Sequence, residues 1–261
     1  MVEVRQVFDD SAGYERFMGR WSRAVGGIFL DWIGAAPQLE WLDVGCGTGI
    51  FTELVATRCQ PSRVTGVDPS QAQIDLAASK VLDARVGFRT ADAQALPFAD
   101  ASFDVVTAAL VVNFVPDRNK ALSEMRRVVR PSGLVAGYVW DFAANASPSA
   151  PLRAGLRRVG IEAPEVPGTQ DSTDARLRSL LAEAGLRDVA MRVITVTSSY
   201  SDFEDFWQAQ TPGYNPISKV IAALDPSTRE HLRQAVRAEL GAVDNRAVEY
   251  SARANAFMAK R

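Results

Sequence analysis

Between Leu39 and Trp140 the chain repeatedly passes from a short apolar run to an amphipathic stretch. Trp41-Leu42-Asp43-Val44 reads as a strand, and Phe51, Leu54 and Val55 mark the inner face of a helix beginning near Thr48 to Ile50. Arg63 to Asp68 is a β-branched strand ending in an acid. Pro69 and Ser70 open a helix with the stripe Ile74, Ala77, Ala78, Val81, and Ser70 with Gln73 has capping-box spacing. Val86 to Ala93 predicts a third strand with another terminal acid, Asp92. Val105 to Val112, apolar almost throughout, suits a central parallel strand covered on both faces. A helix with stripe Ala121, Leu122, Met125, Val128, Val129 follows, ended by Arg130-Pro131-Ser132-Gly133, and Leu134 to Trp140 is a fifth strand. Five such alternations predict an α/β fold with a doubly wound parallel sheet.

The flanks follow other patterns. Residues 8–36 predict a helical N-terminal cover of two amphipathic helices parted near Gly19. Four prolines between Asn145 and Gln170 mark a loop with a short helix at Leu152 to Val159. Asp174 to Ala184 is a helix ended by Gly185, and Arg187 to Thr197 a strand. Ser201 with Glu204 has capping-box spacing, Asp225-Pro226 opens another helix, and the alternation from Val248 to Met258 is a closing strand. The chain is thus expected to be a single domain over 1–261, with a cofactor-binding half at 39–141 and a helical cap inserted at 203–240.

Chemistry concentrates where the first strand gives way to Gly45, Gly47 and Gly49. Glycines admit positive φ and let a ligand lie against the main chain, and the next helix points its free N–H groups at the loop. A dinucleotide fingerprint is G-x-G-x-x-G, but here the third glycine comes one place early and Asp43 sits two residues before the first. The stretch Asp43-Val44-Gly45-Cys46-Gly47-Thr48-Gly49 resembles the first motif of the class I S-adenosylmethionine-dependent methyltransferases. The likeness extends from Leu39 to Gly133 and is nearest to the branch of ubiquinone and menaquinone biosynthesis methyltransferases. It implies a seven-stranded sheet whose last strand is antiparallel, inserted between the fifth and sixth.

The resemblance also implies a site. Asp43, Gly45, Cys46 and Gly47 would cradle S-adenosylmethionine, with Asp68, followed by Pro69, Ser70 and Gln73, holding the ribose diol. Asp68 lies 19 residues beyond Gly49, which favours that role over simple helix capping. Asp92 and the Ala93 backbone would receive the adenine amino group, and Asn113 would follow the fourth strand into the site. The leading segment Tyr14 to Trp21 is similar to one that folds over the cofactor, placing Tyr14 there and Arg20 at its carboxylate.

Bulk properties narrow the partners. With 29 basic and 31 acidic residues the chain lacks the positive excess of a nucleic-acid binder. Two cysteines and one histidine exclude a disulfide framework or multi-histidine metal site. No run is long enough for a membrane span, and no basic-then-apolar leader opens the sequence, so the cytoplasm is the expected compartment. The Asn/Asp-Pro-Pro-Tyr tetrapeptide of nucleobase amino methyltransferases is replaced by Val112-Asn113-Phe114-Val115, which points to a small-molecule acceptor. Phe17, Trp21, Phe203, Phe206, Trp207 and Tyr214 are candidates either for an apolar acceptor pocket or for core. His231, Tyr14 and Asp141 are candidate bases. An NAD(P)-dependent oxidoreductase and a non-catalytic S-adenosylmethionine-binding protein are the competing readings.

Overall fold

A computed structural model of the protein describes the backbone of residues 11–211 and 216–261, with side chains described from residue 18 onward in those ranges. The strands are β1 (Glu40–Val44), β2 (Arg63–Asp68), β3 (Val86–Thr90), β4 (Phe103–Ala109), β5 (Val129–Trp140), β6 (Arg187–Tyr200) and β7 (Val248–Lys260). They form one seven-stranded sheet in the order β3-β2-β1-β4-β5-β7-β6. Strands β1 to β5 pair in parallel, while β7 runs antiparallel to both β5 and β6.

Period-two alternation along the strands feeds two cores. Leu42, Val44, Val106, Ala108, Val135 and Val139 face α4 (Arg118–Val128) and α6 (Asp174–Glu183). Trp41, Val105, Ala136, Tyr138 and Trp140 face α1 (Ser11–Ile33) and α2 (Ile50–Arg58), while α3 (Gln71–Lys80) packs along β2 and β3. A third core lies at the carboxyl end of β6. There α5 (Ala150–Arg158), α7 (Phe203–Gln210), α8 (Pro216–Ala222) and α9 (Pro226–Glu239) enclose Phe206, Trp207, Leu152, Leu156, Leu232 and Val236. Among the described residues no helix is long and apolar enough to cross a membrane.

Several elements depart from expectation. The cover is one continuous helix, α1, rather than two. Gly19 lies buried inside it, and its intrinsic cost of about 1 kcal/mol is smaller than what burying Trp21, Val25, Phe29 and Leu30 supplies. Strand β3 ends at Thr90, leaving Asp92 in a turn closed by a bridge to Ala95. Strand β4 stops at Ala109. Leu110 takes a positive φ of 63°, and Val112 to Phe114 coil into a 3-10 turn. Arg130 to Gly133 does not separate helix from strand but forms an irregularity within β5, clasped by Arg130 pairing with Asp104 and Glu40. The N-cap of α7 is Asp202, not Ser201; its carboxylate accepts from Asp205 N.

Candidate functional site

The strand order reverses between β1 and β4, where open α/β sheets bind ligands beyond the strands' carboxyl ends. The glycine loop leaves β1 at this point and is tied to β2. Gly45 N and Cys46 N both donate to Val67 O, at 2.7 and 2.9 Å, and Gly47 N donates to Asp68 Oδ2 at 3.1 Å. Asp68 Oδ1 accepts from Ser70 N at 2.9 Å, and Ser70 Oγ caps α3 through Gln73 N. One carboxylate therefore couples the loop to the start of the next helix.

Two of the glycines serve different ends. Gly45 (φ 73°) allows close packing, since a Cβ there would stand 2.4 Å from Val111 Cγ2 on the β4 exit. Gly47 (φ 52°) faces open space, with nothing within 4 Å of a Cβ. It is a cradle and not a packing contact. Gly47→Ala is accordingly expected to cost only the left-handed backbone penalty, about 1–2 kcal/mol, read by urea unfolding. A larger loss would reveal a steric role for Gly47.

Beneath the loop lies Asp43, 1% exposed. The strand alternation turns it away from Leu42 and Val44 toward α2, where Thr52 Oγ1 donates to its Oδ2 at 2.6 Å. Its Oδ1 has no hydrogen-bond partner among the described residues. Burial pushes the Asp43 pKa up to about 7, the Thr52 hydroxyl partly offsets this, and the charge of Asp68 adds to it. Burial also raises Asp68, against the bonds from Ser70 N and Gly47 N, and holds the Cys46 thiol well above its ordinary value. The buried Thr48 Oγ1 and Gln73 Oε1 are likewise without partners. Orphaned polar atoms of this kind carry a desolvation cost that a bound ligand would remove.

Asp92 and Ala93 adjoin this cluster through Ala91 N, which donates to Asp68 O. Asp92 is exposed, its carboxylate accepting from Gln94 N and Nε2. Asn113 is 1% exposed; its Nδ2 donates to Pro167 O at 3.1 Å, and its Oδ1 is buried without a partner. It fastens the proline-rich connector between α5 and α6 across the exit of β4. Arg118 reinforces this, donating to Asn113 O and pairing with Asp171 at 3.1 Å.

Arg20, expected at a cofactor carboxylate, is exposed on α1; it donates to Ser199 O and lies over the Tyr200 ring. Asp141 is buried in a two-bond pair with Arg253, at 3.0 and 2.7 Å, and serves no open cleft as a base. His231 is exposed on α9. Phe203, Phe206 and Trp207 are interior to the third core and Trp21 to the second, so these rings are core and not pocket lining. The side chains of Tyr14 and Phe17, and all of Tyr214, lie outside the described residues.

Sequence reasoning missed Thr52, Val111 and the connector around Pro167. A threonine among the buried Ile50, Phe51 and Val55 of α2 was the available signal for the first. The Asn113–Pro167 contact spans 54 residues and had no local signal.

Sheet order and switch point are those of the class I methyltransferase fold. Residues 42–137 match the family model described as "Methyltransferase domain". Over 155 residues the chain is 37% identical to 27-O-demethylrifamycin SV methyltransferase of Amycolatopsis mediterranei, covering 58% of this chain and 54% of that protein. Against the ubiquinone/menaquinone biosynthesis C-methyltransferase of Geotalea daltonii the identity is 34% over 145 residues, covering 51% of this chain and 61% of that one. The chain thus spans roughly half the length of the curated relatives it matches. Phosphoethanolamine N-methyltransferase 2 of Haemonchus contortus, solved with phosphomonomethylethanolamine and S-adenosylhomocysteine, shares the fold. Its TM-score is 0.59 at 18% identity, over 96% of this chain and 56% of that one.

Proposed function

We propose that the protein transfers a methyl group from S-adenosylmethionine to a small, apolar or aromatic acceptor. The observation that carries this reading is the glycine loop itself, anchored through Asp68 and open at Gly47, with the buried Asp43 Oδ1, Thr48 Oγ1 and Gln73 Oε1 unpartnered on the segments that begin, form and follow it. These residues fit the cofactor. Asp68 has spent one lone pair on each oxygen and keeps others for the ribose diol, flanked by Pro69, Ser70 and Gln73. Asp92 and the Ala93 backbone would take the adenine amino group. Asp43, Gly45, Cys46, Gly47 and Asn113 would surround the amino acid end.

The sulfonium supplies a methyl group on an excellent leaving group, so the protein's share is alignment and the exclusion of water. Positioning alone is worth several kcal/mol, and no general base is required of the chain. Calorimetry with S-adenosylmethionine, S-adenosylhomocysteine and NADH tests the reading. Both sulfur compounds are expected to bind and NADH not to; NADH binding with no response to either sulfur compound overturns it.

Within that reading, Asp68→Ala removes charged hydrogen bonds worth about 1.5–3 kcal/mol. S-adenosylhomocysteine is expected to bind roughly tenfold to 150-fold more weakly, with the sheet intact by circular dichroism. An unchanged dissociation constant would leave Asp68 as a loop anchor only.

A further inference from the structure

Arg153, on α5, is a half-buried cation with little to neutralise it. Its Nη1 donates to Pro164 O at 2.8 Å, and among the described residues no carboxylate lies within ion-pair distance of it. Other partly buried arginines nearby are paired: Arg118 meets Asp171 at 3.1 Å, and Arg253 meets Asp141 at 2.7 Å. Burial lowers the basicity of the Arg153 guanidinium, the like charge of Arg157 one turn away adds to this, and the exposed Glu165 only partly opposes it. A guanidinium offers five N–H donors in a planar fork that matches carboxylate and phosphate, and here one is spent on a neutral carbonyl. Charge withdrawn from water without a counter-ion is costly, and a bound anion would supply the missing partner.

The location connects this cation to the methyl-transfer site. Arg153 grips the α5–α6 connector at Pro164, and three residues on, Pro167 O is held by Asn113 at the exit of β4. Three residues span at most about 11 Å, so one short piece of connector joins Arg153 to the exit of β4, and α5 itself follows the carboxyl end of β5. The exits of β4 and β5 there carry Phe114 and Phe142, half-buried rings in edge contact at 6.4 Å.

We infer that Arg153 is a specificity-determining residue that receives the carboxylate or phosphate of an apolar or aromatic methyl acceptor, an inference that rests on the proposed methyl transfer. Phe114 and Phe142 supply the apolar surface for the acceptor's body, and Arg153 fixes its anionic end.

The test is calorimetric titration of the protein saturated with S-adenosylhomocysteine, at constant ionic strength, with benzoate, inorganic phosphate and neutral benzyl alcohol. Arg153→Gln keeps an amide donor for Pro164 O but removes the charge; Arg157→Gln removes the exposed neighbouring charge. At least one anion is expected to bind wild type more tightly than benzyl alcohol. Arg153→Gln is expected to weaken it roughly tenfold to a hundredfold, as loss of a charged hydrogen bond does, with melting temperature and S-adenosylhomocysteine affinity unchanged. Arg157→Gln is expected to keep most of the anion affinity. The inference is overturned if neither anion binds wild type, or if Arg153→Gln binds as wild type does. Equal losses in the two variants, or a fall in melting temperature alongside the anion affinity of Arg153→Gln, also overturn it. Failure of S-adenosylhomocysteine to bind strikes the methyl-transfer reading instead, and the same titrations on unsaturated protein then decide the role of Arg153.

Discussion

Asp43→Asn is expected to stabilise the protein at pH 8 and to leave its stability almost unchanged at pH 4. Burial raises the folded-state pKa of Asp43 from 3.8 to about 7. Below the lower value both folded and unfolded chains hold the proton, and the site contributes nothing to pH dependence. Between the two values the folded chain keeps a proton that the unfolded chain has released, so folding stability falls as pH rises and levels off above about 7. A shift of this size corresponds to about 4 kcal/mol at most. Asparagine does not titrate, and its amide oxygen can still accept from Thr52, so the variant escapes the loss. Urea unfolding at pH 4, 6 and 8 reads the difference directly. A constant offset between variant and wild type across that range would show that Asp43 ionises as freely in the fold as out of it.

An acid that weakens the fold at neutral pH needs a use at its position. The charge of Asp68 raises the cost of ionising Asp43, and the Asp68 carboxylate accepts from Gly47 N in the glycine loop. Under the proposed function the ligand's cationic end comes to rest beside them. Ionised acids are then matched rather than merely buried, and the stability lost in the free protein is recovered on binding.

How much of this was legible depended on distance along the chain. The alternation of strand and helix from Trp41 to Trp140, the Ser70 cap and the Asp225 cap are local, and the structure bears them out. So did the pairing of the glycine loop with Asp68 emerge from strand ends that a parallel sheet must bring together. Contacts made across the fold were not legible. Asp141 looked free because its partner Arg253 lies 112 residues away, and Arg20 looked free because Ser199 lies 179 residues away. Gly19 read as a helix boundary because propensity is local, whereas the packing of Trp21 and Phe29 that overrides it is tertiary.

The aromatic residues of the inserted helices show the same limit, and they give the second large effect. Phe206 is fully buried, with the Tyr200 ring at 5.1 Å in edge contact and Phe203 stacked at 6.3 Å. Truncating such a ring costs the transfer energy of the removed atoms plus that of the cavity, about 3–5 kcal/mol. At roughly 2–4 °C per kcal/mol for a chain of this size, Phe206→Ala is expected to lower the melting temperature on the order of 10 °C. The third core shares no residue with the glycine loop, so S-adenosylhomocysteine affinity should hold below the transition. Helices α5 and α9 are in extensive mutual contact within that core, and its loosening can precede loss of the sheet as a separate, lower-temperature step. Differential scanning calorimetry with and without S-adenosylhomocysteine separates the outcomes. A melting temperature equal to wild type, with altered acceptor kinetics, would place Phe206 in an acceptor pocket. A melting loss at constant cofactor affinity places it in the core.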